Sequence, residues 1–254
     1  MDLIELWRYP RFFVENGADS RLTLSEQDLY HARQVLRMKN GDKAILCDGN
    51  GTDYLSEYRE YFGSGERSGV RFEVIRTMTN QAEPTVKLRL FQCLPKSDKM
   101  DFIVQKAVEL GVSEVIPTVS ARCISRPSGK SAANKTARWN KIAYEAAKQC
   151  GRGRIPVVGQ VLNFKKAAEG LNKSDLSIIF YECGGERLNK IFDTFSAVSQ
   201  INLFIGSEGG FETGEVELLR KAGAIPATLG KRILRVDTAS IAAVSLIMNL
   251  SGNI

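Results

Sequence analysis

The stretch Leu203–Ala243, LFIGSEGGFETGEVELLRKAGAIPATLGKRILRVDTASIAA, constrains the fold more than any other part of the chain. Leu203–Ile205 is an apolar run of the kind a buried strand uses. Gly206, Gly209 and Gly210 bracket Ser207 and Glu208, so the backbone leaving that strand can take unusual torsions and admit a ligand closely. Thr213 reads as a helix N-cap, Glu215 and Glu217 fall in the first turns, and Arg220 and Lys221 fall late, as the helix dipole favours. Gly223 is the stop signal. A short strand, a basic-apolar segment and a final helix follow. Two loops thus leave two strand ends close together in sequence, which is where open α/β sheets bind ligands.

The loops do not read as a phosphate cradle. Gly223 to Gly230-Lys231 has the wrong spacing for GxxxxGK[ST], and Arg232 stands in the Ser/Thr position. Glu208 and Glu212 would repel a phosphate. A neutral or cationic ligand fits better. IGSEGGF alone is a weak signal, because many tight turns are glycine-rich.

Taken in order, the chain changes character once. Arg8–Val14 predicts a short strand flanked by arginines. Ser25–Met38 predicts a capped amphipathic helix with Leu29, Ala32, Val35 and Leu36 on one side. Arg33 and Arg37, four apart, would share a face whose spacing suits two adjacent phosphates. Lys43–Asp48, Asp53–Tyr58 and Val70–Ile75 predict strands, with DGNG at 48–51 a strong turn. Short strands with close turns suggest a small barrel or sandwich. Thr77–Pro84, polar and ending in proline, reads as a linker.

Beyond it, strands and helices alternate, the sign of a parallel α/β sheet. Strands are expected at Leu88–Leu94, Val115–Val119 and Ile178–Tyr181. Helices are expected at Met100–Leu110, capped by Ser97 or Asp98, at Lys135–Cys150 and at Asp237–Leu250. The last carries an Ala239, Ala242, Ala243, Leu246, Ile247 and Leu250 face, suited to close packing in a core or across a dimer. Glu182–Glu186 is a third glycine loop at a strand end.

Charge separates along the chain. Residues 1–78 hold 11 Lys and Arg against 13 Asp and Glu, whereas residues 79–254 hold 24 against 16. Arg122–Arg154 alone carries nine basic residues against Glu145, which is either a solvated face or a phosphate-binding surface. Five widely spaced cysteines with no CxxC disfavour zinc and disulfide frameworks. Cys150 reads as a buried helix-end cysteine, not a nucleophile. A single histidine, His31, argues against a histidine triad or a His-ligated metal. No apolar run reaches membrane-spanning length and no secretory signal is visible.

IGSEGGF joined to LGKRILRVDTA at this spacing resembles the paired C-terminal motifs of the RsmE-like 16S ribosomal RNA uridine-N3 methyltransferases, of the SPOUT or α/β-knot superfamily. PKSDKMDFIVQKAVELGVSEVIP resembles a second family stretch, with its KM, QK and ELGV in order. QCGRGRIP resembles a third, matched at Gln149, Cys150, Gly151, Arg152 and Arg154. His31, Arg33 and Val35–Arg37 match a fourth.

The resemblance implies an α/β fold: a C-terminal parallel-sheet SPOUT domain with a deep trefoil knot, preceded by a small PUA-like β-barrel. The implied boundaries are 1–76 for the RNA-binding barrel, 77–84 for the linker and 85–254 for the methyltransferase domain. It implies a cytoplasmic, homodimeric enzyme without a metal. Its cofactor would be S-adenosyl-L-methionine, and its partner 16S ribosomal RNA or the assembled small subunit. Implied cofactor positions are Leu94, Tyr181, Glu182, Ile205, Gly206, Glu208 and Gly210, then Leu229, Gly230, Ile233, Leu234, Arg235, Thr238 and Ala239. Implied RNA contacts are Arg8, Arg11, Arg33, Arg37, Lys96, Lys99, Arg122, Arg152 and Arg154. Glu208 and Asp237 are the acid/base candidates, and Arg235 is the electrostatic partner for a uracil anion. Ser207 stands where the family usually has proline, and Asp237 where it usually has glutamate. A SPOUT enzyme with another target atom, or a non-catalytic assembly factor that binds RNA, are the alternatives.

Overall fold

The computed structural model describes residues 8–14, 24–63, 69–171, 175–195 and 198–254. They form two compact units. One is Met1–Glu83 with Ala147–Ile155, and the other is Pro84–Ala146 with Pro156–Ile254.

The first unit is built on four strands, β1 (Arg11–Phe13), β2 (Lys43–Cys47), β3 (Thr52–Phe62) and β4 (Gly69–Thr79), in that order across the sheet. β1 runs parallel to β2, and the other pairs are antiparallel. The turn between β2 and β3 is held by Asp48, whose Oδ1 accepts from Asn50 N and Thr52 N. Phe12, Leu46, Tyr54, Tyr58, Val70 and Phe72 make the core. The linker expected from Thr77 begins three residues late: Thr77, Met78 and Thr79 pair in the sheet with Tyr54, Asp53 and Thr52. Polarity was misleading there, because β4 is the edge strand of the sheet and an edge strand carries polar residues readily.

Helix α1 (Glu26–Tyr30) is capped by Ser25, whose Oγ accepts from Asp28 N at 3.1 Å. It passes directly into a π turn over His31–Val35. The expected single amphipathic face is therefore broken. Ala32 is fully buried, but Val35 is 60% and Leu36 40% exposed, because each wide turn rotates the face. Arg37 lies beyond the helical turns at φ +51°, while Arg33 stacks over the Tyr61 ring at 3.7 Å. The two arginines do not share a helical face.

The return segment 147–155 is fixed within this unit by hydrogen bonds. Glu83 accepts from Arg152 Nη2 at 2.9 Å and from the backbone N–H groups of Gly153 and Arg154 at 2.9 and 3.0 Å. Gly51 N donates to Gly153 O, and Asn80 Nδ2 to Gly151 O. Lys148 is ion-paired with buried Asp28 and lies over the Phe12 ring.

The second unit contains β5 (Lys87–Cys93), α2 (Lys99–Glu109), β6 (Glu114–Val119), α3 (Gly129–Gln149, its last three residues grouping with the first unit), β7 (Val157–Val158) and β8 (Leu162–Asn163). It continues with α4 (Phe164–Glu169), β9 (Leu176–Phe180), β10 (Glu186–Arg187), α5 (Leu188–Thr194), β11 (Gln200–Ile205), α6 (Thr213–Lys221), β12 (Ile225–Thr228) and α7 (Val236–Leu250). The strands lie in the order β10-β12-β9-β11-β5-β6-β7, with β8 also on β6, and every pairing is parallel. A sheet covered on both faces needs continuous apolar strands, and Leu176–Phe180 is buried throughout. Phe91 and Phe204 stack at 4.3 Å across β5 and β11.

Three local expectations change. The N-cap of α6 is Glu212, not Thr213. Its side chain and that of Glu215 cap each other's backbone N–H, a stronger device than one hydroxyl. Asp98 occupies the N-cap of α2, but its carbonyl, not its side chain, accepts from Asp101 N. On α7, Ala243, Val244, Ile247 and Met248 are buried while Leu246 and Leu250 are 45% and 38% exposed, so the buried stripe lies one position round from the expected one. None of the described helices is long and apolar enough to cross a membrane.

Candidate active site

Three loops of the second unit leave adjacent strands: 181–185 after β9, 206–212 after β11 and 229–235 after β12. Between them lies a cavity of about 480 Å³. Phe180, Ile205, Leu229, Leu234, Val236 and Ala239 give it apolar walls, and Gly206, Gly209, Gly210 and Gly230 present bare backbone to it.

The 206–212 loop is held tightly. Gly210 N donates to Ser207 O at 2.9 Å, and Gly210 has φ +66°. A Cβ there would lie 1.9 Å from Glu182 Oε1, so any other residue would displace that carboxylate in addition to straining the torsion. Glu208 accepts from Lys96 N through both oxygens at 3.2 Å and from Lys99 Nζ at 3.2 Å. Partial burial works against its ionisation, but the hydrogen bonds from its own N–H, Lys99 and Lys96 outweigh this and hold it below the usual glutamate range. From the loop after β6, Arg122 Nη1 donates to Gly209 O at 2.9 Å and Ala121 N to Glu215 at 2.7 Å. In the same loop, Cys123 is buried with its Sγ 3.2 Å from Ser120 Oγ. Hydrogen bonding from Cys93 and from Ser120 lowers the Cys123 thiol to about 6, whereas burial raises Cys93 well above its ordinary value.

Twelve of the fourteen residues expected around the cofactor line this cavity: Tyr181, Glu182, Ile205, Gly206, Glu208, Gly210, Leu229, Gly230, Ile233, Leu234, Arg235 and Ala239. Leu94 and Thr238 do not. Leu94 N extends the β5–β6 pairing by donating to Thr118 O, and its side chain is buried. Thr238 is exposed on the first turn of α7. Phe180, Ser207, Gly209, Thr228, Arg232 and Val236 line the cavity and were not anticipated. Each sits beside an expected residue in the same loop or strand end, so the loops, not single motif positions, were the available signal.

The three candidates for chemistry differ in state. Arg235 lines the cavity, is exposed and forms no ion pair among the described residues. Glu208 lines the cavity but is already bound by two donors. Asp237, in the first turn of α7, does not line it, and its Oδ1 is buried with no hydrogen-bond partner among the described residues.

The residues expected to touch RNA divide in the same way. Arg8, Arg37, Lys96 and Arg154 are exposed. Arg11 forms a two-bond fork with Asp53 at 2.7 and 2.8 Å. Lys99 is engaged by Glu208, and Arg122 by the 206–212 loop. Arg33 is exposed but stacked on Tyr61. Arg152 is 3% exposed and bound to Glu83, so it has no free face for a phosphate.

Residues 81–248 match the model of an RNA methyltransferase domain, and residues 24–60 that of an RNA methyltransferase PUA domain. The chain belongs to this family of RNA methyltransferases. Among its relatives is Ribosomal RNA small subunit methyltransferase E of Bacillus subtilis (strain 168), 31% identical over 93% of this chain and 95% of that protein. The protein of the same name from Buchnera aphidicola subsp. Acyrthosiphon pisum is 29% identical over 97% of this chain and 95% of its own length. In structure the chain is similar to Ribosomal RNA small subunit methyltransferase E from Neisseria gonorrhoeae bound to S-adenosyl methionine. That likeness has a TM-score of 0.82 and 29% identity, covering 95% of this chain and 98% of the other.

Proposed function

We propose that this chain methylates N3 of a uridine in small-subunit (16S) ribosomal RNA, with S-adenosylmethionine as methyl donor. The observation that carries the reading is the cavity where β9, β11 and β12 end. Its walls are apolar, its glycine backbone is bare, and it lies within residues matched to an RNA methyltransferase domain. The residues present suit that donor. Flat apolar walls suit an adenine, unshielded backbone groups suit its polar edge, and the Glu182 carboxylate suits a positive centre. We infer a deep trefoil knot from the resemblance and from the connectivity, in which β12 lies beyond β9 and α7 returns to pack on α2.

When bound, the cofactor supplies an electrophilic methyl group carried on a sulfonium. The cavity residues hold the reactants in line, which is a gain in effective concentration. Arg235 faces the negative charge that N3 and its flanking carbonyls gain as the N3 proton leaves. We assign that proton to Asp237, whose buried Oδ1 is without a partner among the described residues; the carboxylate lies outside the lining, next to Val236, and must turn into the cavity to accept it. Glu208 is assigned to holding the loop, because a carboxylate kept ionised by Lys99 is a poor proton acceptor. The uridine must be splayed out for N3 to reach the site. Arg8 and Arg37 of the PUA-like unit, with Lys96 and Arg154, are the exposed cations assigned to the RNA backbone. The exposed Leu246 and Leu250 on α7 support a homodimer, and a ribosomal substrate supports a cytoplasmic location.

Calorimetric titration with S-adenosylmethionine and S-adenosylhomocysteine, with ATP as control, tests the cofactor assignment. Saturable binding of the first two and none of ATP is expected; the reverse pattern removes it. Arg235→Ala is expected to lower turnover about a hundredfold while leaving donor affinity nearly unchanged. Equal loss in binding and turnover would place Arg235 in donor binding instead.

A further inference from the structure

Glu182, set above against the positive centre of the donor, forms a charge pair with Arg122 at the edge of the cavity. Glu182 stands on the turn after β9 and lines the cavity. Its carboxylate lies so close over Gly210 that a Cβ there would meet Oε1 at 1.9 Å. Arg122 Nη1 reaches from the loop after β6 to Gly209 O at 2.9 Å and stops 3.7 Å from Glu182 Oε1. That separation gives attraction between the charges without a hydrogen bond.

The other ionisable groups around the cavity make this carboxylate distinctive. Glu208 is bound by Lys96 N and Lys99 Nζ. Lys99, Arg232 and Arg235 are cations, and the two arginines form no ion pair among the described residues. Apart from Glu182, the lining repels a positive ligand. A cationic ligand and its neutral counterpart of the same shape are therefore told apart chiefly by one carboxylate, and Arg122 sets how much of its charge the ligand feels.

We propose that Glu182 makes the site prefer the sulfonium donor to its neutral demethylated product, and that Arg122 limits this preference. The inference rests on the cofactor reading above. In methyl transfer the S–CH₃ bond breaks with its electron pair left on sulfur, the methyl carbon bonds N3, and the N3 proton leaves to the base. The ligand thereby loses the positive charge that Glu182 attracts, and product release is eased at each turnover. Because Arg122 stays within reach, the preference is kept small enough for the donor not to be held too tightly in a partly open site.

The test is calorimetric affinity for S-adenosylmethionine, S-adenosylhomocysteine and sinefungin, whose amine carries a positive charge at the sulfonium position. The ratio of charged-ligand to neutral-ligand affinity is measured for the unaltered chain, Glu182→Gln and Arg122→Gln. Glu182→Gln is expected to reduce the ratio about fivefold for both charged ligands, and added salt should shrink the effect. Arg122→Gln is expected to raise the ratio severalfold. Loosening the 206–212 loop would weaken all three ligands together and leave the ratio alone, so a purely structural role is distinguished. An unchanged ratio in Glu182→Gln overturns the proposal while leaving the cofactor reading intact. An unchanged ratio in Arg122→Gln overturns the part given to Arg122. Failure of the unaltered chain to bind any of the three overturns the cofactor reading, and this inference with it.

Discussion

At Gly210 a side chain would meet a strained torsion and displace the Glu182 carboxylate. Gly210→Ala would force φ +66° on an L-residue and push a methyl into the Glu182 carboxylate. Donor affinity is expected to fall at least about tenfold with little change in melting temperature, since the loop strain is local. An alanine variant with full affinity would mean that Glu182 lies elsewhere when the donor binds. Glu208 makes a separate, pH-dependent prediction. Its folded pKa is depressed, so its tether to Lys99 contributes above the value of a free glutamate, about 4.3, and is lost as pH falls through the folded value. The melting temperature of the unaltered chain should drop more steeply on acidification below that point than that of Glu208→Gln; parallel curves would remove the tether. Motif positions found most of these residues because glycine loops announce themselves by composition. Arg232 and Ser207 were missed because nothing in their type separates a cavity-lining residue from its neighbours.

At the scale of elements, the π turn after α1 and the return of residues 147–155 are the features a linear pattern hides. Helical periodicity placed Val35 and Leu36 inward, and one wide turn moved them to the surface. The basic run Arg122–Arg154 mixes residues of different fates, and its charge count cannot separate them. Arg152 is enclosed and fixes Glu83, whereas Arg154 is exposed. Arg152→Ala leaves the half-buried Glu83 carboxylate without its cation, though still accepting from Gly153 N and Arg154 N, and is expected to cost about 2 kcal/mol in urea unfolding. The salt slope of RNA binding should stay unchanged, because no phosphate contact is lost. A reduced slope with normal stability would return Arg152 to the RNA surface. The parallel sheet, by contrast, was visible in advance: the apolar runs Ile178–Tyr181 and Leu203–Ile205 largely fall in the buried strands Leu176–Phe180 and Gln200–Ile205.

For the whole molecule, the division of labour follows the division of family matches and not that of net charge. The PUA-like unit contributes exposed cations, and the methyltransferase unit contributes a cavity with a cationic lining broken by Glu182. The chain order alone did not show that residues 147–155 belong with the first unit, because the hydrogen bonds that place them join residues about seventy to a hundred positions apart. The reaction is the claim on which the roles of Arg235, Asp237 and Glu182 all depend. Its most direct measurement is mass spectrometry of nucleosides from small-subunit RNA incubated with the purified chain and a donor carrying an isotopically labelled methyl group. The account predicts label in 3-methyluridine, appearing about a hundredfold more slowly with Arg235→Ala and strongly reduced with Asp237→Asn. Label in a ribose-methylated nucleoside or in another base, or none in any RNA or assembled subunit despite donor binding, would contradict it.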